Sequence, residues 1–180
     1  MRAVVAHGAG DFRLEDVPGP TLEGGAVVRM EAAGVCAADR MIYKGDSPWE
    51  LTFPFVPGHE NVGTIVELDA EAGQRWGVAV GDMVVNEVMV PCGDCPLCRR
   101  ERFHLCRNGQ HIGSSLPGGW AERMAIPPKA RVRRHPAGHA AEEPELAEPL
   151  ARANHADQRA DPRKAETDLI SSIAANDAAA

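Results

Sequence analysis

Long apolar runs, aromatic side chains and excess positive charge are all scarce in this sequence. None of its 180 residues falls in an apolar run of about 18, the length that a membrane-spanning helix requires. The first residues, MRAVVAHGAGDF, lack the apolar segment of a secretory signal, so a cytoplasmic location is expected. Acidic residues outnumber Lys and Arg by 26 to 19, and the net charge of −7 argues against a nucleic-acid partner.

The scarcity of aromatic residues means that the core has to be mostly aliphatic. The chain has three Trp, one Tyr and four Phe, although hydrophobic residues of all kinds make up 44% of it. That content suffices for one domain of ordinary size, and 180 residues rarely accommodate a complete two-domain nucleotide enzyme.

Short apolar or alternating runs, separated by Gly and Pro, predict a mainly β fold. These runs lie at 2–7, 13–16, 26–33, 62–68 and 83–88, and a further turn and strand are expected at 118–126. Such spacing is typical of a β-barrel or sandwich. Residues 141–159 are rich in Ala, Glu and Leu and predict one or two helices, so the fold class is α+β with strands in the majority.

The five cysteines are an odd number, which argues against a disulfide framework. Four of them lie within fifteen residues, at Cys92, Cys95, Cys98 and Cys106. Gaps of two residues let neighbouring thiolates turn back onto one ion, and Gly93 and Pro96 suit such turns. Four thiolates form a closed tetrahedral zinc site, which is structural. Reduced thiols in a loop and a redox CxxC pair are the alternatives, and both are disfavoured by this spacing.

A second set of candidate ligands is spread along the chain. Cys36 lies in the segment GVCAAD, and a lone cysteine is more often a small buried hydrophobe than a ligand. His59 and Glu60 follow a Pro57-Gly58 turn and precede a strand-like segment. A mixed set of Cys, His and carboxylate is what a catalytic zinc site uses, with one position left for water or substrate.

Taken in order, GVCAAD, PGHENVGTIVEL, VGDMVV and the four-cysteine segment resemble the zinc-dependent medium-chain alcohol dehydrogenases, especially the polyol (sorbitol, threitol) and threonine dehydrogenase branch. The resemblance covers about residues 1–175 and implies a GroES-like β-barrel with a structural zinc lobe at about 90–110. It also implies a catalytic zinc bound by Cys36, His59 and Glu148, the last in an AEPLA segment. Glu60 matches a family glutamate that can approach the metal.

The proton relay of the family is altered. Many members place a hydroxyl residue and a histidine two and five positions after the metal-binding cysteine, where this chain has Ala38 and Met41. Neither side chain can carry a proton. Asp39 or Tyr43 could substitute, or water could reach the metal directly. We therefore take Glu60 and Asp39 as the catalytic candidates.

The nucleotide-binding fingerprint of the family is absent from its expected place. Alignment puts its three glycines on Ser172, Ala174 and Asp177. Glycine there allows the backbone to approach the pyrophosphate, and a carboxylate would face it with like charge. We therefore expect the Rossmann domain to be missing and NAD(P) not to bind the isolated chain. The expected domains are a GroES-like zinc-binding domain at 1–150 and, at 151–180, a helical tail with a degenerate start of a nucleotide-binding domain.

These patterns leave several functions open. The first is a stand-alone zinc Lewis-acid enzyme that acts on a hydroxyl- or carbonyl-bearing small molecule, as an oxidoreductase by resemblance, or as a lyase, hydrolase or isomerase. The second is a non-catalytic remnant or binding module. The third is a dehydrogenase half that needs a separate nucleotide-binding partner. No membrane partner is expected. Residues that complete the barrel in the family are missing, so the tail or a second copy in a homo-oligomer would cover the open edge.

Overall fold

The structure, a computed structural model, describes residues 1–135 of the chain. Within them lie two α-helices, α1 (Ala37–Lys44) and α2 (Ala70–Trp76), and two short 3-10 turns at Cys98–Arg100 and Phe103–Leu105. The nine strands of this part, numbered along the chain, are β1 Arg2–Gly8, β2 Asp11–Asp16, β3 Ala26–Ala33, β4 Asn61–Leu68, β5 Met83–Asn86, β6 Met89–Val90, β7 Gln110–His111, β8 Arg123–Ile126 and β9 Val132–Arg134.

The strands pair in antiparallel fashion. Five of them form one sheet in the order β8-β3-β4-β5-β9, while β1 pairs with β2 and β6 pairs with β7. Isolated bridges join Ala3 to Ala121 and Ala6 to Phe55. Through these two bridges, β1 of the β1–β2 hairpin pairs with the segment before β8 and with the segment before β4.

Aliphatic side chains fill the interior, as the composition predicted. Val28 on β3 lies opposite Ile65 on β4 and Met124 on β8, and all three are at most 2% exposed. Each such buried side chain contributes roughly 1.5 to 3 kcal/mol relative to an exposed one. A second cluster joins Ala6 and Ile42 to Phe55.

Both helices begin at a capping side chain and end at a glycine. Cys36 caps α1 through its sulfur, and Gly45 ends that helix with a φ of 78°. The Asp69 carboxylate accepts the N–H groups of Glu71 and Ala72 at the start of α2, and Gly77 ends it with a φ of 68°. A left-handed φ of this size is readily adopted by glycine.

The predicted fold class is confirmed: the described part is mainly β with two short helices. Two boundaries were wrong. The strand predicted at 83–88 ends at Asn86 and a separate strand starts at Met89, and the strand predicted at 13–16 starts at Asp11. The expected helices at 141–159, the ligand Glu148, the domain boundary at 150 and the tail at 151–180 lie outside the described residues. Among residues 1–135, no helix has the length and apolar character needed to cross a membrane.

Candidate metal centres

The four clustered cysteines converge on one point. Their Sγ atoms all lie within 4.8 Å of one another. The Sγ atoms of Cys92 and Cys98 are 3.9 Å apart, those of Cys95 and Cys106 are 3.9 Å apart, and those of Cys92 and Cys106 are 3.5 Å apart. A tetrahedral zinc with Zn–S bonds of about 2.3 Å requires sulfur atoms about 3.8 Å apart. The cluster therefore fits a four-thiolate zinc.

Backbone N–H groups lower the pKa of two of the four clustered thiols, whereas burial raises the pKa of Cys98. The N–H of Cys98 donates to the Cys95 sulfur and that of Cys92 to the Cys106 sulfur, both at 3.4 Å. These bonds lower the pKa of Cys95 to about 7 and also lower the pKa of Cys106. The carboxylate of Asp94, which accepts a hydrogen bond from the Cys92 thiol, raises the pKa of Cys92 to about 12.

This cysteine lobe, which we define as residues 92–109, has no apolar interior of its own. Its buried residues are Cys98 and Cys106, both of them in the sulfur cluster. The Lys129 ammonium group donates a hydrogen bond to the carbonyl of Cys92, and the Arg131 guanidinium lies 4.9 Å from the centre of the Phe103 ring. A bound metal would stabilise the folded lobe, as a hydrophobic core stabilises other parts of a protein.

The second candidate centre lies where β3 ends and β4 begins. These strands are antiparallel neighbours with Ala33 opposite Asn61, so the residues just after β3 face those just before β4. Cys36 and His59 meet there, with 3.1 Å between Sγ and Nε2. Bond lengths of about 2.3 Å to sulfur and 2.0 Å to nitrogen place two ligand atoms about 3.0 to 3.5 Å apart for bond angles of roughly 90° to 109°.

Glu60 completes this group of candidate ligands. Its carboxylate oxygen, the Cys36 sulfur and a ring nitrogen of His59 all lie within 4.8 Å of one another. The Glu60 carboxylate packs against Gly34, where an added Cβ would collide with it. Glycine at position 34 thus leaves the room that the Glu60 side chain occupies.

Asp39 connects the two chain segments that carry these ligands. Its side chain is 2% exposed, and one carboxylate oxygen accepts the N–H of Cys36 at 2.9 Å. The other oxygen lies 3.7 Å from Nδ1 of His59 and has no hydrogen-bond partner in the described part of the chain. An Nδ1 proton directed at Asp39 leaves Nε2 of His59 available for a metal. This orphaned buried oxygen fits a metal-bound histidine, and its burial places Asp39 behind His59.

The Cys36 sulfur lies in a partly buried environment. Burial raises the pKa of its thiol, while hydrogen bonds with the backbone near Asp39 and Ala38 act in the opposite direction. The N–H of Ala38 donates to this sulfur at 3.2 Å. A cation beside the sulfur would stabilise the thiolate that burial alone disfavours.

The structure thus brings together Cys36, Asp39, His59 and Glu60 in one site and the four lobe cysteines in another. Sequence reasoning missed Trp120, which was interpreted only as part of a turn. Its indole N–H donates to the carbonyl of Gly34, two residues before Cys36, at 3.1 Å. The signal available in the sequence was the pair Gly118-Gly119, which lets a backbone approach closely.

Comparison with known proteins gives consistent results. The family model described as alcohol dehydrogenase GroES-like domain matches residues 23–136. The chain is 44% identical over 176 residues to an erythritol/L-threitol dehydrogenase of Mycolicibacterium smegmatis, covering 89% of this chain and 47% of that protein. It is 38% identical over 117 residues to an L-threonine 3-dehydrogenase of Aeromonas hydrophila, covering 63% of this chain and 33% of that protein.

The fold is likewise similar to a solved dehydrogenase. Galactitol-1-phosphate dehydrogenase of Escherichia coli superposes with a TM-score of 0.74 at 28% identity, over 88% of this chain and 44% of that one. The chain therefore spans about half the length of the threitol and galactitol-1-phosphate enzymes that it matches.

Proposed function

The chain belongs to the alcohol dehydrogenase GroES-like domain family, and from this premise we propose that it holds a catalytic zinc that acts on a hydroxyl- or carbonyl-bearing small molecule. One observation carries the proposal. Cys36 and His59 meet at 3.1 Å, Glu60 lies within ligand range, and a buried carboxylate faces the far nitrogen of the imidazole. Zinc held at such a site supplies Lewis acidity, which lowers the pKa of a coordinated hydroxyl group.

Each residue of the site has a distinct task. The Cys36 thiolate and Nε2 of His59 would bind the metal. The buried Asp39 carboxylate, 3.7 Å from Nδ1 of His59, would favour the tautomer with its proton on Nδ1 and so orient the ring. One thiolate and one carboxylate balance the two positive charges of zinc. Glu60 and Glu148 are the candidates for that carboxylate.

Glu60 is also the group that we assign to proton transfer. Ala38 and Met41 carry no transferable proton, and Asp39 is buried behind His59. Glu60 is half-buried and lies within reach of the ligand atoms. When Glu148 serves as the ligand, the Glu60 carboxylate is available to take a proton from the substrate.

The relatives suggest a substrate class. Their names refer to erythritol or L-threitol, L-threonine and galactitol 1-phosphate. Each of these molecules has a hydroxyl-bearing carbon next to a carbon that carries a second heteroatom. We therefore propose a small secondary alcohol of this type, or its ketone, as substrate. Oxidation would need a nucleotide-binding partner, because no nucleotide site is expected in residues 1–180, whereas dehydration or isomerisation would not.

Cobalt substitution tests this proposal. Co²⁺ in the Cys36–His59 site gives visible bands that respond to a new ligand. We expect L-threitol to shift these bands saturably, whereas 1,4-butanediol, which lacks the two inner hydroxyls, should have little effect. The Cys36→Ser variant should show no such shift. Identical responses to the two alcohols, or none up to the solubility of L-threitol, would contradict the proposed substrate class.

One observation favours a second candidate, a metal-containing binding module without catalysis. Both positions at which many family members carry the proton relay are filled by apolar side chains, Ala38 and Met41. Product analysis separates the two candidates. New products from L-threitol or L-threonine, detected by NMR with and without added NAD⁺, would support the enzyme. Binding without any product would support the module or a dehydrogenase half that lacks its nucleotide-binding partner.

A further inference from the structure

The turn formed by Gly118–Trp120 touches both chain segments that carry the proposed catalytic ligands. The backbone N–H of Trp120 donates to the carbonyl of Pro57 at 3.1 Å, and its indole N–H donates to the carbonyl of Gly34 at 3.1 Å. Pro57 precedes His59 by two residues, and Gly34 precedes Cys36 by two residues. A single residue therefore joins the two segments just before their ligands.

The backbone of this turn packs directly against the backbone of the His59 segment, so that a Cβ atom at Gly118 or Gly58 would collide with the other segment. Gly118 and Gly119 donate their N–H groups to the carbonyls of Val56 and Gly58 at 2.8 and 3.0 Å. Gly58 has a φ of 94°, and an added Cβ would collide with the Trp120 indole. The backbone geometry on the His59 side of the site is thus fixed by several contacts.

On the Cys36 side, the hydrogen bond from the Trp120 indole links this turn to the chain within residues 1–135. The N–H of Gly34 donates to the carbonyl of Glu60 at 2.8 Å, and the Gly34 carbonyl accepts the indole N–H. These two bonds set the orientation of the peptide groups that lead to Cys36. An indole can only donate, so it can hold a carbonyl next to a metal site without competing for the metal.

We propose that Trp120 is a positioning residue for the Cys36–His59 metal site. Its indole N–H holds the Gly34 carbonyl and so keeps the Cys36 sulfur at binding distance from Nε2 of His59. The inference rests on the proposed function, since it requires a metal at this site. It assigns to Trp120 a role in metal affinity that goes beyond packing.

The chain offers a matched control. The indole N–H of Trp76 also donates to a backbone carbonyl, that of Ala130, at 3.0 Å, and both Trp76 and Trp120 are half-buried. Trp76 lies on α2 and packs against the core that contains Val28 and Ile65. Trp120→Phe and Trp76→Phe therefore each remove one indole hydrogen bond from a half-buried ring, and of the two only Trp120 bonds to the ligand-bearing segments.

The experiment measures metal affinity in the full chain by chelator competition. We expect Trp120→Phe to weaken zinc at the Cys36–His59 site about tenfold or more, as loss of a group that orients a ligand does, and to leave the zinc of the lobe in place. Trp76→Phe should leave both affinities unchanged. In the cobalt form, the bands of the Cys36 site should shift or broaden in Trp120→Phe, while those of the four-thiolate lobe serve as an internal reference.

A second replacement keeps the test decisive if Trp120→Phe loses both metals through unfolding. A benzothiophene amino acid at position 120 keeps the fused rings and lacks only the N–H donor, and it should weaken the Cys36 site alone. Unchanged affinity and spectra in a chain that binds both metals, or equal losses in the Trp76 and Trp120 variants, would overturn the inference and leave the proposed function standing. A wild-type chain that binds metal only in the lobe would contradict the proposed function itself.

Discussion

Replacement of Cys95 by Ser should release the lobe metal and unfold residues 92–109 without unfolding the five-stranded sheet. Cys95 supplies one of four sulfur atoms whose separations match a zinc tetrahedron. Its sulfur also accepts the N–H of Cys98, so the change removes a ligand and an acceptor at once. We expect wild-type protein to contain about one zinc more per chain than Cys95→Ser.

The magnitude follows from what holds the lobe together. A structural zinc contributes on the order of 10 kcal/mol of binding free energy that is coupled to folding. The buried residues of the lobe are Cys98 and Cys106, both proposed ligands, so hydrophobic burial offers little compensation. The core built around Val28 and Ile65 contains no lobe residue and should persist.

Hydrogen exchange with mass spectrometry measures this effect segment by segment. Amides at 97–106, several of which bond within the lobe, should lose protection in Cys95→Ser, while amides of β3 and β4 keep theirs. The matched control is Leu105→Ser, because Leu105 lies in the same segment, is 49% exposed and is not a ligand. Full zinc content and unchanged protection in Cys95→Ser would refute the four-thiolate assignment.

Three further outcomes are expected. Asp39→Asn should weaken zinc at the Cys36 site about tenfold to hundredfold in a chelator competition, because the amide no longer stabilises the metal-bound imidazole as a carboxylate does; equal affinities would contradict this role. Gly58→Ala should lower the free energy of unfolding by about 2 kcal/mol or more in urea titrations, because Gly58 has a positive φ and an added Cβ would collide with Trp120. Gly77 also has a positive φ but faces open space, so Gly77→Ala should lower it by only about 1 kcal/mol. Equal losses would argue against the close packing at Gly58. Calorimetric titration of the 180-residue chain with NAD⁺ or NADP⁺ should show no binding tighter than millimolar, and a micromolar dissociation constant would refute the expected absence of a nucleotide site.

The main β elements could be predicted from sequence because their patterns are local. The run at 26–33 and the run at 62–68 coincide with β3 and β4 to within one residue, since short apolar runs between turn signals are typical of strands. The helices α1 and α2 were not predicted, because eight and seven residues are too few to show a helical period.

The candidate ligands could also be identified from sequence, but their arrangement could not. The spacing of the four lobe cysteines is a local pattern. Cys36 and His59 were candidates by residue type, and the family resemblance grouped them as ligands of one metal. The link from Trp120 to Gly34 joins residues 86 positions apart, and only the pairing of β3 with β4 and β8 brings them together. Likewise, the burial of Asp39 behind His59 depends on the packing of α1, which the sequence pattern did not show.

The most direct test of the catalytic-centre assignment is the zinc content of the purified chain and of its His59→Ala variant. His59 provides the imidazole ligand of the proposed site and lies outside the lobe, so the variant should lose one zinc and keep the other. We predict about two zinc ions per chain for the wild type and about one for His59→Ala. A wild-type value near one, or an unchanged value near two in the variant, would contradict the assignment of a metal to Cys36, His59 and Glu60.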